Sequence, residues 1–281
     1  MTAYISGWVL LAALAVGQAT TWLLGAHAQS LDQMQGSGGY ALADALMPYA
    51  QRDYARALEL LAPLAEQGNG VAQLKLGIIF SRGKVNSPDH VAALRWFTTA
   101  AEQGQAEAQF ELGLIYRDGL GTRVDGKAAV YWFERAAEKG TPHAINALGE
   151  LYLGHQDVPQ DFAVARRWSL RGAQVGNSAS MYNLGVLYAL GQGVVQDDIE
   201  AFKWLKLAAD TGIGEDRDKA LRARTRLAER LTPFEVSRAV GRVEDWSRAR
   251  FACYEGSAAE PLALYDGSLL SLGPMASARK Q

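Results

Sequence analysis

The chain repeats itself every 36 residues, which restricts it to architectures in which one small unit stacks on the next. Leu-Gly pairs fall at Leu76-Gly77, Leu112-Gly113, Leu148-Gly149 and Leu184-Gly185. Trp96, Trp132, Trp168 and Trp204 keep the interval, as do Ala93, Ala129, Ala165 and Ala201. Gly104, Gly140, Gly176 and Gly212 form a further column, and Asp89, Asp125, Asp161 and Asp197 another. Chance does not hold five independent columns in one register over four units.

Each unit reads as two helices. In the clearest copy the first runs from about Ala108 to Arg117, with Phe110, Leu112, Ile115 and Tyr116 at helical spacing. Asp118 to Gly121 ends it, since glycine readily adopts the backbone conformation of a helix C-cap. Asp125 is an N-cap whose carboxylate can accept backbone N–H groups. The second helix carries Ala129, Trp132, Phe133, Ala136 and Ala137 in one apolar stripe, in which the tryptophan column reads as core. The Leu-Gly glycine sits inside a helix, where glycine costs up to ~1 kcal/mol relative to alanine. Its recurrence implies a steric need, namely close approach of the paired helix at its small Ala93 or Ala129 column.

The pattern Ala-x3-Leu-Gly-x2-Tyr, then Gly-x-Gly, Asp-x3-Ala-x2-Trp and Ala-Ala-x2-Gly resembles the Sel-1-like repeat family, a relative of the tetratricopeptide repeat. The stretch from Ala108 to Gly140 fits at nearly every position. The next copy has Gly154-His155-Gln156 for the glycine pair and Gly172 for an alanine. The one after begins with Ser180 in place of alanine. The resemblance implies an all-α, right-handed superhelical solenoid of helix-turn-helix repeats at residues 72–107, 108–143, 144–179 and 180–215. A divergent repeat over 39–71 keeps Asp53, Ala57, Ala65 and Gly68 in register. Residues 216–250 read as capping helices, the second opened by the capping box Thr232-Pro-Phe-Glu235. Residues 251–281, including Cys253, read as a loosely ordered tail.

The N-terminus is of a different kind. No charged side chain precedes Asp32, Trp8 to Ala15 is apolar, and Ala26-His27-Ala28 offers a signal-peptidase site before Gln29. Residues 1–28 are therefore expected to be a signal peptide, or else an uncleaved anchor, with 29–38 as a linker. Either arrangement places the repeats outside the cytoplasm, in the periplasm or beyond.

Composition narrows the chemistry. With 28 basic and 30 acidic residues there is no basic excess to favour nucleic acid. One cysteine can form neither an intramolecular disulfide nor a zinc site. Some cysteine-rich members of the family have been linked to penicillin binding, but the paired cysteines they carry are absent here, so that activity does not transfer. Gly121 to Lys127 imitates a phosphate loop, but Ala128 stands where a Ser or Thr belongs and a helix precedes it, not a strand. His90, His143 and His155 lack partners at ligand spacing. No cofactor, metal or catalytic residue is expected.

In related solenoids the first helices line a concave groove. Carried over, the groove columns are Leu74, Phe110, Asn146 and Tyr182; Ile78, Leu114, Glu150 and Val186; and Ser81, Arg117, Leu153 and Ala189. Such a surface suits an extended peptide or a partner helix. The resemblance thus implies an exported adaptor that binds another protein, scaffolding complexes or regulating membrane signalling or envelope proteins. A cell-envelope hydrolase and a membrane-tethered assembly factor are the competing readings.

Overall fold

The computed structural model describes residues 38–155 and 157–254. The readings of residues 1–37 and of 255–281 lie outside the described residues; at 251–254 the tail reading is corrected, because the last helix runs on to Tyr254. The described residues divide into two compact units, one ending at Val124 and the other starting at Asp125. In the first, α1 (Gly38–Ala50), α2 (Tyr54–Glu66), α3 (Gly70–Ser81), α4 (His90–Glu102) and α5 (Ala106–Asp118) each pack on the next. The second contains α6 (Gly126–Glu138), α7 (Pro142–Gly154), α8 (Phe162–Gln174), α9 (Ser178–Leu190), α10 (Asp198–Thr211), α11 (Gly214–Ala228) and α12 (Pro233–Tyr254). Among the described residues all regular structure is helical, in consecutively paired helices: an all-α solenoid.

The aspartate column does what its spacing predicts. Asp89, Asp125, Asp161 and Asp197 accept the backbone N–H groups of Ala92, Ala128, Val164 and Glu200 at 2.8–3.0 Å. Each satisfies one of the donors that a helix start leaves unpaired. Asn69 and Asn177 cap the first helices α3 and α9 in the same way, at 3.0 and 2.8 Å. Helices α3, α5, α7 and α9 therefore start two residues before the boundaries at 72, 108, 144 and 180, which were drawn from the first motif residue. The capping box also forms. Thr232 N and Oγ1 each donate to Glu235 Oε2 at 2.8 Å, and the Glu235 N–H returns to Thr232 Oγ1 at 3.3 Å.

The reading of the tryptophans as core needs correction. Trp96, Trp132 and Trp168 are half-buried, and of the four Trp204 alone is enclosed. The enclosed aromatic is the next residue, Phe97 or Phe133, at 0% exposure. Ala93, Phe97, Ala100 and Ala101 lie at i, i+4, i+7 and i+8, which centres the buried stripe on Phe97 and leaves Trp96 on its flank.

That shift also changes the account of the Leu-Gly column. A Cβ on Gly77 would lie 2.6 Å from the Phe97 ring, and one on Gly185 2.6 Å from Leu205 Cγ. The glycine makes room for a large side chain, not for contact between two small ones. Gly149 differs because Ser169 occupies the position of Phe97, and its Oγ lies 3.1 Å from a Cβ placed there.

Departures from the repeat pattern come as compensating pairs. A Cβ on Gly121 would lie 2.6 Å from the His90 carbonyl, and one on Gly193 2.7 Å from Ala163 N. The second glycine of Gly-x-Gly thus lets each loop rest on the first turn of the preceding unit's second helix, and its φ is +73° or +67°. At the equivalent position the copy that lacks the glycine pair has Asp157. There the glycine is on the other side: a Cβ on Gly126 would lie 2.7 Å from Asp157 O and Val158 Cγ2. Gly172 and Ser180 are a second such pair, since a Cβ on Gly172 would meet Ser180 Cβ at 2.6 Å. Sister copies place alanine at both positions, Ala100 with Ala108 and Ala136 with Ala144.

These contacts rank the glycines. Gly185→Ala should lower stability by ~1–3 kcal/mol through overpacking against Leu205. Gly149→Ala should be neutral or gain up to ~1 kcal/mol of helix propensity, because the Ser169 hydroxyl can rotate away. Urea melts of the two variants check the order, and the reverse order contradicts it.

Candidate partner-binding surface

In the first unit the first helices α1, α3 and α5 are tied together by side chains. The buried Gln73 donates to Ala65 O at 3.0 Å and accepts from Gln103, which also donates to Gly68 O at 3.0 Å. Gln109 repeats the first contact, donating to Ala101 O at 3.1 Å. Each glutamine satisfies a carbonyl near the end of the preceding second helix. Farther out, Lys75 Nζ lies 5.5 Å from the centre of the Tyr49 ring and 3.9 Å from Glu107, and Arg82 reaches Glu111 at 3.4 Å. Burial pushes the Glu111 carboxyl above the usual range, and Arg82 offsets part of that.

Phe110 and Leu114 are half-buried here, as is Arg117, which forks onto Asp118 at 2.7 and 2.8 Å. Leu74 and Ile78 are 5% and 4% exposed and offer no surface to a partner. They belong to the core, a correction to the groove set. Their columns run along the boundary between core and surface, where compact Leu and Ile side chains are covered completely and the larger Phe110 is not.

In the second unit the corresponding face belongs to α7 and α9. Asn146 Nδ2 donates to Glu150 at 2.8 Å, while its Oδ1 accepts from Ser180 Oγ at 3.1 Å and from Asn183 at 3.5 Å. Glu150 is exposed, and Val186 is half-buried. Tyr182 packs one side against the core around Met181 and Trp204.

One constellation escaped the sequence reading. Asp197, Glu200, Lys203 and Arg242 converge where α12 crosses α10. Lys203, 2% exposed, pairs with Glu200 and lies 4.0 Å from the Trp204 ring centre. Arg242 donates to Asp197 at 3.1 Å and Glu200 at 2.9 Å. Burial drives the Lys203 ammonium below the ordinary lysine range, against the pull of Glu200. Burial also acts to raise Asp197, but the Glu200 amide and Arg242 outweigh it and hold that carboxyl low. Lys203 lies against the Trp204 and Trp246 rings, Asp197 and Arg242 sit half-buried at the rim, and the ion pairs fasten α12 to α10. The cluster's signal was Arg242 within the apolar spacing Ala239, Val243, Trp246, a cation that must meet an anion when buried.

Nor does the phosphate-loop look-alike form a cradle. Gly126 starts α6 beneath Asp157, so a neighbouring loop fills the space a phosphate would need. Among the described residues no group of His, Cys, Asp and Glu is placed to hold a metal ion, and no helix is long and apolar enough to cross a membrane.

The family model for the Sel1 repeat matches residues 38–69, 70–105, 106–141, 142–177 and 178–213. The chain belongs to the Sel1 repeat family. Its first match, 38–69, covers the divergent first unit. A Sel1 repeat protein from Oxalobacter formigenes is 27% identical, with a TM-score of 0.55 over 68% of this chain and 85% of that one. The structure of c5321, a protective antigen present in uropathogenic Escherichia coli strains and displaying an SLR fold, is 25% identical, with a TM-score of 0.47 over 83% of this chain and 59% of that one. No curated protein sequence matches the chain. Sel1 repeat proteins are generally protein–protein interaction scaffolds and generally non-enzymatic.

Proposed function

We propose that this Sel1 repeat protein is an exported scaffold that binds a partner protein or peptide on the faces of its first helices. The observation that carries the reading is that these faces are built ahead of any partner. Lys75 with Glu107 and Arg82 with Glu111 bridge α3 and α5, and Asn146 with Ser180 and Asn183 bridges α7 and α9. Side chains already held in place lose less entropy when a partner arrives. Phe110, Arg117 and Tyr182 are the large side chains beside these bridges, and aromatic and Arg anchors carry most of the energy at protein interfaces. Chemistry on a small substrate finds less support, because the densest group of titratable side chains is taken up in ion pairs that join α10 to α12.

Export rests on the apolar, uncharged N-terminal segment with its Ala26-His27-Ala28 site. The mature chain is expected to begin at Gln29, in the periplasm or secreted. Intact-mass measurement on protein from the cell envelope reads this directly; a chain still beginning at Met1 makes the segment an anchor instead.

For binding, the first-helix face of each unit is tested separately. Phe110→Ala and Arg117→Ala in one, and Tyr182→Ala in the other, should leave helicity in place and weaken partner capture from native envelope by ~1–3 kcal/mol each. Phe133→Ala should instead lower stability by ~3–5 kcal/mol. A folded triple variant that recovers the same partner as fully as the parent contradicts the reading.

A further inference from the structure

Helices α7 and α9 carry almost no charge. Glu150 is the one Asp, Glu, Lys or Arg in the two helices together. It is exposed and makes no ion pair among the described residues; the Asn146 amide donates to it at 2.8 Å. Tyr182, Val186 and Leu190 stand at i, i+4 and i+8 on α9 and make the rest of the face apolar, with Leu190 60% exposed. Between them Asn183 spends one N–H on Asn146 at 3.5 Å and keeps its other N–H and its carbonyl for a further contact. An apolar surface with unspent amide groups and a single carboxylate suits an extended segment. That segment would bring apolar side chains, main-chain groups to pair and a positive charge.

Residues 267–281 of this chain have that composition. Leu269, Leu270, Leu272 and Met275 are apolar, and Arg279 and Lys280 are the only charged side chains in the stretch. Gly267, Gly273 and Pro274 are residues unsuited to a helix interior. Charge separates the α7 and α9 face from the others of the second unit. Helix α8 has three arginines and no acid, so it would repel Arg279 and Lys280. On α11 every exposed position from Glu215 to Arg226 is charged except Thr225, which offers leucines nothing to cover. The outer side of α10 is already taken by α12. Reach is ample. Helix α12 ends at Tyr254 in the same unit, and residues 255–266 can span up to ~40 Å, twice the ~20 Å length of a helix such as α9.

We infer that residues 267–281 occupy the first-helix face of α7 and α9 in extended form, and that a partner must displace them to bind there. The Arg279-Lys280 pair meets Glu150, the leucines cover Tyr182, Val186 and Leu190, and Asn183 bonds the main chain. Such regulation rests on the face being a binding surface, as proposed above.

The test uses the full chain with a photo-crosslinking phenylalanine analogue in place of Leu270 and no partner present. The expected result is crosslinks within one chain, mapped by mass spectrometry to α7 or α9. Glu150→Arg should lower their yield about tenfold, because a like charge would then face Arg279 and Lys280. Glu150 is exposed, so helicity should not change. Adding Arg279→Glu and Lys280→Glu to that variant should restore the yield. Crosslinks to α6, α8 or α11, or to a second chain, overturn the inference. So does a Glu150→Arg yield equal to the parent's, or a charge swap that restores nothing. Because no partner is present, such a failure removes the tail from this face and leaves partner binding to be decided by its own alanine variants.

Discussion

Close contact between helices through a glycine is the constraint on which the rest of this structure depends. Gly77 against Phe97 and Gly185 against Leu205 let a large side chain of the second helix sit directly on the first helix's backbone. The contact sets the spacing within a pair, and that spacing determines which neighbours are covered. Leu76, Leu112, Leu148 and Leu184 close over completely, and the second helices turn Ala93, Ala129, Ala165 and Ala201 inward. Proteins are packed densely enough that one methyl group is felt at such a point. The fitted quantity is accordingly the sum of two side chains and not either one alone. Gly172 with Ser180, and Gly126 with Asp157, keep their sums by moving the glycine or the added atoms across the contact.

This explains which parts of the structure were legible in the sequence. Register, helix pairing, aspartate caps and the Thr232–Glu235 capping box follow from local rules, and each forms as its spacing implies. The choice between Trp96 and Phe97 as the core aromatic did not follow. Both lie within reach of the stripe, and the Ala100-Ala101 pair on the far side decides it. Leu74 and Ile78 were placed on the surface by column position, but a column that is half-open in sister copies closes over a compact aliphatic side chain. The buried Gln73 and Gln109 and the cluster around Lys203 depend on carbonyls and charges far along the chain, which a periodic reading does not pair.

The same division separates scaffold from function. Residues held in register build the solenoid and differ little in role between copies. The side chains that vary, Phe110, Asn146 and Tyr182 in one column and Tyr131 and Arg167 in another, lie at its surfaces. Those positions can vary without disturbing the core. Helix α12 shows the reverse case, in which the chain covers one of its own outer faces. Trp204 is buried as its sisters are not because Trp246 and Val243 lie over it, while Arg242 closes the charges at the edge.

The claim that paired contacts, and not single motif positions, fix this fold is tested most directly by a double-mutant cycle on Gly172 and Ser180. Gly172→Ala, Ser180→Ala and the double variant are each melted in urea. Gly172→Ala alone should destabilise, because the added methyl meets Ser180. Ser180→Ala in the same chain should restore part of that loss, giving a coupling of ~0.5 kcal/mol or more. Strict additivity of the two substitutions would contradict the account.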